Sequence, residues 1–390
     1  MDRQAENLIE LLRCLATGET PRLTELQFSA VSCLAYQQGI SNLLYPMFRL
    51  LPKERQPEKT VLSDCKQTAF TAATRSELHN KELDAICAAL SAQSIYALPL
   101  KGAVIKYLYT KPEYRSMSDI DLLLPKEEKP RIRQIMEQLG FRMESNTDGT
   151  DVFVSSFGLQ YELHYDLTED APTAECVPFL ASFLDRAKQE NDRLVLSPEE
   201  QYVYVLAHMA KHLQTGGSGI RQVMDVWVCR HRQELDADAL SDLLEQTNLR
   251  QFAAVAETLA DAWFSGAQSS PPAEQLGDCI LSGKLFGTDR QRTENRMMKA
   301  SGSRVTYWLR RIFPPYRVMT EYFPLLKKAP ILLPFFWIVR FFRGLFFGRD
   351  RLRAEYDTVR TIDENDLSAK EALFAQCGLI ARPNEEVAEK

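Results

Sequence analysis

Asp119 and Asp121 stand two residues apart in "RSMSDIDLLLP", residues 115–125, at the leading end of an apolar run made by Ile120, Leu122, Leu123 and Leu124. In a β-strand, residues i and i+2 project from one face, so two carboxylates repel each other on an element that reads as buried. Three readings account for this. The pair can be an acidic turn leading into a strand, with Asp119 as a cap. It can be a calcium site, but the EF-hand loop with its spaced acids and glycine is missing. It can hold magnesium or manganese, the cation drawing the carboxylates together over a rigid apolar strand.

Two neighbouring stretches support the cation. Upstream, "LPLKGAVIKYLY" (98–109) reads as a short apolar strand, a Lys101-Gly102-Ala103 turn and a helix. A glycine at a strand-to-helix turn lets backbone N–H groups approach an anion, and a helix start favours negative charge. Lys101 adds a formal positive charge there. Downstream, "LQYELHYDL" (159–167) alternates so that Glu162 and His164 share one face, with Tyr161, Leu163 and Tyr165 on the other. A third carboxylate, Glu162, therefore arrives on a strand that can pair beside the first. Three carboxylates and a glycine turn are what two-metal nucleotidyl transfer needs. Two divalent ions ~3.5–4 Å apart require several anionic oxygens; one ion activates the acceptor oxygen, the other stabilises the pyrophosphate. His164 can orient a metal-bound carboxylate, act as a base on the acceptor hydroxyl, or simply pack against a neighbouring element.

Taken together, "LKGAVIKYLY…YRSMSDIDLLLP…YELHYDL" resembles the nucleotidyltransferase fold of the DNA polymerase β superfamily. More closely it resembles the branch of uncharacterised nucleotidyltransferases, relatives of which occur near bacterial polysaccharide-synthesis genes. The resemblance spans about 100–228 of the chain. It implies metal ligands at Asp119, Asp121 and Glu162, a glycine turn at Gly102 with Lys101 before it, and Mg²⁺ or Mn²⁺ as cofactor. It also implies an NTP and an acceptor as partners, with Asp119, Asp121, Glu162 and His164 as the catalytic set. The chain departs from the superfamily pattern in two places. The turn is usually Gly-Gly or Gly-Ser, whereas Ala103 brings no hydroxyl to a phosphate or metal. The gap from Gly102 to Asp119 is also long.

Arg115 and Ser118, just ahead of the paired aspartates, are candidates for holding phosphate, as are Lys101 and Gly102. "LAHMAKHLQTGGSGIRQVMDVWV" (206–228) supplies two more, Lys211 and Arg221, and resembles the region that follows the catalytic domain in that branch. Arg221 follows three glycines and can clamp a phosphate. Its plain alternative is an i,i+4 ion pair with Asp225, worth ~0.3–0.5 kcal/mol if exposed. His208 and His212 are four apart but lack the glutamate of the zinc motif HExxH. They form either a polar seam facing the cleft or a core pair satisfied by tyrosines.

The elements that must position these groups follow from changes of period. The chain has 390 residues, 45% hydrophobic and 26% charged, which suits a globular protein of two or three domains. The net charge of −6 gives no general reason to expect nucleic-acid binding. Eight cysteines without a CxxC pair argue against a zinc ribbon and suit free thiols in a reducing cytoplasm. The first twenty residues carry no apolar signal-peptide core, so a cytoplasmic location is expected.

The expected fold class is α+β. A small mixed sheet at 94–197 forms the nucleotidyltransferase core, with helical regions at 1–93 and 198–300. A basic apolar segment at 301–360 and a polar tail at 361–390 complete the chain. "KEEKPRIRQIMEQLG" reads as a helix closed by Gly140, and Ser197, Pro198 and Glu200 open another with a capping box.

Segment 304–353 holds eleven arginines and lysines against Glu321 and Asp350, a net +9, so the other residues sum to −15. Its uncharged run, 329–339, is too short for a bilayer span of ~20 residues. It is either a buried core helix flanked by surface arginines or, over 329–347, a helix lying in the inner membrane interface on anionic lipid. The function expected is Mg²⁺-dependent transfer of a nucleoside monophosphate from an NTP to a sugar, metabolite or protein. A non-catalytic adaptor that keeps the fold and sits on a membrane or assembly partner is the alternative.

Overall fold

The change of period near residue 94 becomes a mixed sheet. A computed structural model of the chain describes residues 2–285, 287–300, 303–347 and 349–379, with the side chains of all these except 321, 344–347 and 349–351. Five strands form that sheet: β1 (Leu98–Pro99), β2 (Asp119–Leu123), β3 (Arg142–Asn146), β4 (Thr150–Val154) and β5 (Gln160–His164), in the order β1-β2-β5-β4-β3. Only β2 and β5 run parallel. A short antiparallel hairpin follows, β6 (Lys188–Glu190) and β7 (Arg193–Val195).

Helices precede, interrupt and follow the sheet. They begin with α1 (Arg3–Thr17), α2 (Phe28–Gln37), α3 (Leu44–Arg49), α4 (Lys59–Ser91), α5 (Gly102–Ile105) and α6 (Lys129–Gln138). After β5 come α7 (Cys176–Ala181), α8 (Phe183–Arg186), α9 (Pro198–Thr215), α10 (Ile220–His231), α11 (Ala237–Gln246), α12 (Arg250–Phe264) and α13 (Pro271–Leu281). The chain continues through α14 (Asp289–Lys299), α15 (Arg304–Ile312), α16 (Tyr316–Tyr322), α17 (Leu333–Phe347), α18 (Arg349–Thr361) and α19 (Glu364–Gln376). The architecture is α+β, as the periodicity implies. All eight cysteines are free thiols, and no helix among the described residues is long and apolar enough to cross a membrane.

The sheet has two chemically different faces because its strands alternate. Ile120, Leu122, Phe153, Tyr161 and Leu163 point to one side and pack on Leu83, Ile86 and Leu90 of α4 and on Ile132 and Met136 of α6. The other face carries Asp119, Asp121, Glu162 and His164. The larger core lies in the helices, where α1, α3, α9, α10 and α12 bury Leu8, Phe48, Tyr202, Val226 and Phe264. Ser197 caps α9 through a reciprocal box: its hydroxyl accepts from the Glu200 N–H at 3.2 Å, and the Glu200 carboxylate accepts from the Ser197 N–H at 3.0 Å.

Some elements were not legible. β3 shows no alternation, because every residue but Met143 is exposed at a sheet edge. The expectation of a polar tail over 361–390 is corrected for its first part. Residues 364–376 form α19, which buries Leu367, Leu373 and Phe374 and is capped by the Asp363 carboxylate. Residues 380–390 lie outside the described residues.

One buried charge ties α6 to the sheet. Asp151 on β4 is fully buried; Arg133 Nε and Nη2 each donate to it at 2.7 Å, the Tyr165 hydroxyl donates at 3.0 Å, and Lys129 lies 3.4 Å away. Burial opposes its charge, but Arg133 and Tyr165 prevail and hold the carboxyl below its usual range. A depressed folded-state pKa contributes stability that is full above the unfolded value and lost as pH falls through the folded one. Asp151→Ala should therefore cost about 3 kcal/mol in urea unfolding at pH 7. The difference from the parent should shrink on acidification below about pH 4, and a difference unchanged at pH 3 would refute the ion-pair account.

Candidate active site

Parallel pairing of β2 with β5 sets the site. The register places Asp121 opposite Glu162 and Leu123 opposite His164. Ligand atoms of Asp121, Glu162 and His164 all lie within 4.8 Å of one another. His164 Nε2 is 2.9 Å from Asp121 Oδ1 and 3.7 Å from Glu162 Oε2, while its Nδ1 lies 3.3 Å from the Thr150 hydroxyl. With the proton on Nε2, His164 donates to Asp121 and accepts from Thr150, so it orients the carboxylate. Asp119, at the strand's start, lines the same cavity but is not part of the tight group; Oδ1 accepts from the Ser118 hydroxyl at 3.1 Å.

Lys101 compensates the crowded charge. Its ammonium donates to Asp121 Oδ1 at 2.8 Å. Burial opposes the Asp121 charge, yet Lys101 and His164 hold the carboxyl well below the usual carboxylate range. Burial also opposes the ammonium, but Tyr204, Asp121 and Asp170 raise it above the usual lysine range. Glu162 goes the other way: burial, then Asp121 and Asp119, push it up. Like charges this close do not all ionise without a cation. Carboxylate oxygens suit a hard divalent ion such as Mg²⁺ or Mn²⁺. Among the described residues both protein donors to Asp121 fall on Oδ1, which leaves Oδ2 for such an ion. The donor set therefore fits a divalent cation.

The turn that carries Lys101 is strained. Lys101 has φ +52° and ψ −125°, and the Ala103 N–H donates to the Leu100 carbonyl at 3.2 Å. That is the first central position of a type II′ turn, which glycine normally takes. Gly102 follows because a Cβ there would meet Met117 Sδ at 2.5 Å and Arg115 Nη1 at 3.3 Å. The expected helix after the turn is a correction: α5 is four residues long before a 3₁₀ turn at Lys106–Leu108. So short a helix has little dipole to offer an anion, and side-chain cations must do that work.

Two of the four cations, Lys211 and Arg221, come from the second half of the chain and join Lys101 and Arg115. The cavity, about 210 Å³, is lined by Lys101, Gly102, Arg115, Met117, Asp119, Asp121, Glu162 and His164, and across from them by Asp170, His208, Lys211, His212, Arg221 and Gln222. Lys211 pairs with Asp170. His208 and His212 face each other with Nε2 atoms 3.0 Å apart. Burial, then nearby cations, hold His212 at about 4 and His208 well below its ordinary value, so both are neutral and one donates to the other. They line the cavity wall as a buried, mutually hydrogen-bonded pair.

Arg115 and Arg221 differ. Arg115 Nε donates to Asp225 Oδ1 at 2.7 Å, where the Tyr109 hydroxyl also donates at 2.7 Å, and all three side chains are buried. Asp225 is thus taken by Arg115 and not by its i−4 neighbour Arg221. Arg221 Nη1 donates to the Ser116 carbonyl at 2.9 Å, while its Nε is buried without a partner. No carboxylate pairs with it among the described residues. Burial and the neighbouring Arg115 lower it to about 10, which leaves it charged at neutral pH.

Sequence reasoning missed Asp170, Tyr109 and Tyr204. Asp170 sits in a polar loop and the tyrosines in apolar runs, so neither type nor spacing marks them. The Tyr204 hydroxyl and His208 Nδ1 are buried without partners, and His208 lines this cavity.

The family described as uncharacterised nucleotidyltransferase matches residues 24–265 of the chain. Neither the curated proteins nor the solved structures compared with it contain a match.

Lys101 allows the strain to be separated from the charge. Lys101→Ala and Lys101→Gly both strip Asp121 of its ammonium, and each should lower stability in metal-free buffer. The glycine variant should be the more stable of the two by about 1 kcal/mol, because only glycine relaxes at positive φ. Coincident thermal unfolding of the two would mean the turn is unstrained.

Proposed function

Because the chain belongs to the uncharacterised nucleotidyltransferase family, matched over more than half its length, we propose that it transfers a nucleoside monophosphate from an NTP to an acceptor hydroxyl with a divalent cation. The observation that carries this is the in-register pair Asp121–Glu162, with Asp119 and the guanidinium of Arg221, which no described carboxylate pairs, lining the same cavity.

Asp119, Asp121 and Glu162 would hold Mg²⁺ or Mn²⁺. When bound, that ion neutralises the triphosphate and polarises the reacting phosphorus. The chain's own groups do the rest. Arg221, with Nε unpaired, receives the phosphates. Arg115 is locked by Asp225 and presents positive charge behind it. The acceptor oxygen bonds to the α-phosphorus as the bond to the bridging oxygen breaks and pyrophosphate leaves. Glu162, its affinity for protons raised by burial and then by Asp121 and Asp119, takes the acceptor's proton. His164 keeps Asp121 aimed through the hydrogen bond on Nε2.

The acceptor has its own space. A second cavity of about 630 Å³ shares Arg115, Met117 and Arg221 with the first and is walled by α4 and the 115–118 loop. Its lining includes Ser41, Asn42, Gln67, Thr68, Arg75 and Ser116 and no carboxylate. A hydroxyl- and amide-lined space with cations at one end suits a polyhydroxylated acceptor such as a sugar or its phosphate.

The test uses two readouts. Pyrophosphate release from each NTP, with Mg²⁺ or Mn²⁺ and candidate sugars, should fall by about 10²–10³ in Asp121→Asn and in Glu162→Gln. Titration with Mn²⁺ alone, followed by its paramagnetic resonance, should show binding to the parent and none to Asp121→Asn. Arg221→Gln should raise KM for the NTP more than it lowers kcat. Equal turnover in parent and Asp121→Asn would discard the assignment.

A further inference from the structure

The uncharged run 329–339 is not a buried core helix: Ile331, Leu332, Phe335 and Ile338 are exposed. Thirteen of the twenty-one large apolar side chains exposed among the described residues fall between 305 and 356. Across the turn into α17 and along the helix, Ile331, Phe335, Ile338 and Phe342 are 87%, 58%, 57% and 51% exposed. Their four-three-four spacing draws them into one stripe. The opposite side of α17 is already engaged. The Phe336 and Phe323 rings lie 4.6 Å apart, Trp337 Nε1 donates to the Pro314 carbonyl at 2.9 Å, and Arg340 donates to the Arg311 carbonyl at 2.9 Å. Val305 and Leu309 repeat the pattern on α15, whose inner side is held by Tyr307 and Arg311 on Glu355. The apolar stripe is therefore presented outward by a structured unit. Single exposed apolar residues are ordinary, but a concentration of this size marks an interaction surface.

We propose that this face docks on the surface of an anionic bilayer, with the α17 stripe in the acyl boundary. Charge selects that occupant. The segment is +9 while the other residues sum to −15, so an anionic surface attracts this face and repels the rest of the molecule. Arg304 and Arg310 on α15, Lys328 just before the stripe and Arg343 on α17 are exposed. Exposed apolar side chains interspersed with cations match the layering of a membrane interface, hydrocarbon beneath anionic head groups. No described helix is long and apolar enough to cross, so α17 lies in the interface plane. Two exposed ion pairs, Lys327–Asp148 and Arg317–Glu169, join the segment to the loops beside β4 and before Asp170, which puts the docked face next to the catalytic domain.

The experiment is flotation of the full chain with vesicles of phosphatidylcholine alone or with about one quarter phosphatidylglycerol. Binding to the anionic vesicles only, weakened in high salt, is the expected result. Phe335→Ser/Ile338→Ser/Phe342→Ser should abolish it. Lys328→Gln/Arg343→Gln, two exposed changes that leave the fold alone, should weaken it at least tenfold, at about fivefold per charge. Absence of binding to the anionic vesicles overturns the proposal, as does equal binding to both vesicle types. A concentration-dependent dimer that the triple serine variant dissociates assigns the stripe to a second copy and also overturns it.

Discussion

Two parallel strands in register put Asp121 beside Glu162, and the rest of the site is arranged around that repulsion. Side chains that meet across adjacent strands lie only about 5 Å apart, where like charges are costly in a partly buried setting. The chain answers with a cation on Asp121. Lys101 can reach it because the turn before α5 takes a conformation that costs about 1–3 kcal/mol at a residue other than glycine. The geometry then leaves no room for a Cβ at the next position, where Met117 and Arg115 close in. Strain, glycine and lysine are one solution to one electrostatic problem.

A second ring of charge stands behind the first. Asp225 receives both Arg115 and the Tyr109 hydroxyl inside the protein, and that buried node fixes the loop leading into β2 against α10. Burying a single guanidinium is tolerable when its partner is well hydrogen-bonded. Arg221 has no such partner, only the Ser116 carbonyl. A buried guanidinium so poorly matched is expensive, and an anion in the cavity is the group that would match it. Crowded negative charge at the strands thus faces the same cavity as an unmatched positive charge on α10, the arrangement on which the proposed function rests.

Much of this was legible. The i+2 spacing of Asp119 and Asp121, and of Glu162 and His164, follows from strand alternation, and the capping box at Ser197 from residue types alone. What was not legible depended on tertiary partners. Asp225 has Arg221 four residues away, the spacing that usually pairs, yet burial delivers it to Arg115 from 110 positions earlier. The length of α5 was hidden because "GAVIKYLY" keeps helical spacing after its helix has tightened into a 3₁₀ turn. β3 and β6 are edge strands without an apolar face, so period could not reveal them. α19 was mistaken for tail because its polar residues surround only three buried apolar ones.

The strands do not enclose the cavity by themselves. One face of the sheet is sealed by α4 and α6, so the acidic face is the one that borders the cavity. Water would fill that face, and screen its charges, if α9 and α10 did not lie over it. Those helices contribute Lys211, His208, His212 and Arg221 to the cavity wall. They also keep His208 and His212 neutral by burial, so these two add nothing to the positive charge that Lys101, Arg115, Lys211 and Arg221 bring to the cleft. In a cleft of lower dielectric each of those charges acts more strongly on a bound phosphate than it could in water. Asp119, Asp121 and Glu162 come from the sheet and the one guanidinium without a carboxylate among the described cavity residues, Arg221, from α10, so the cavity is complete only where the two parts of the chain meet.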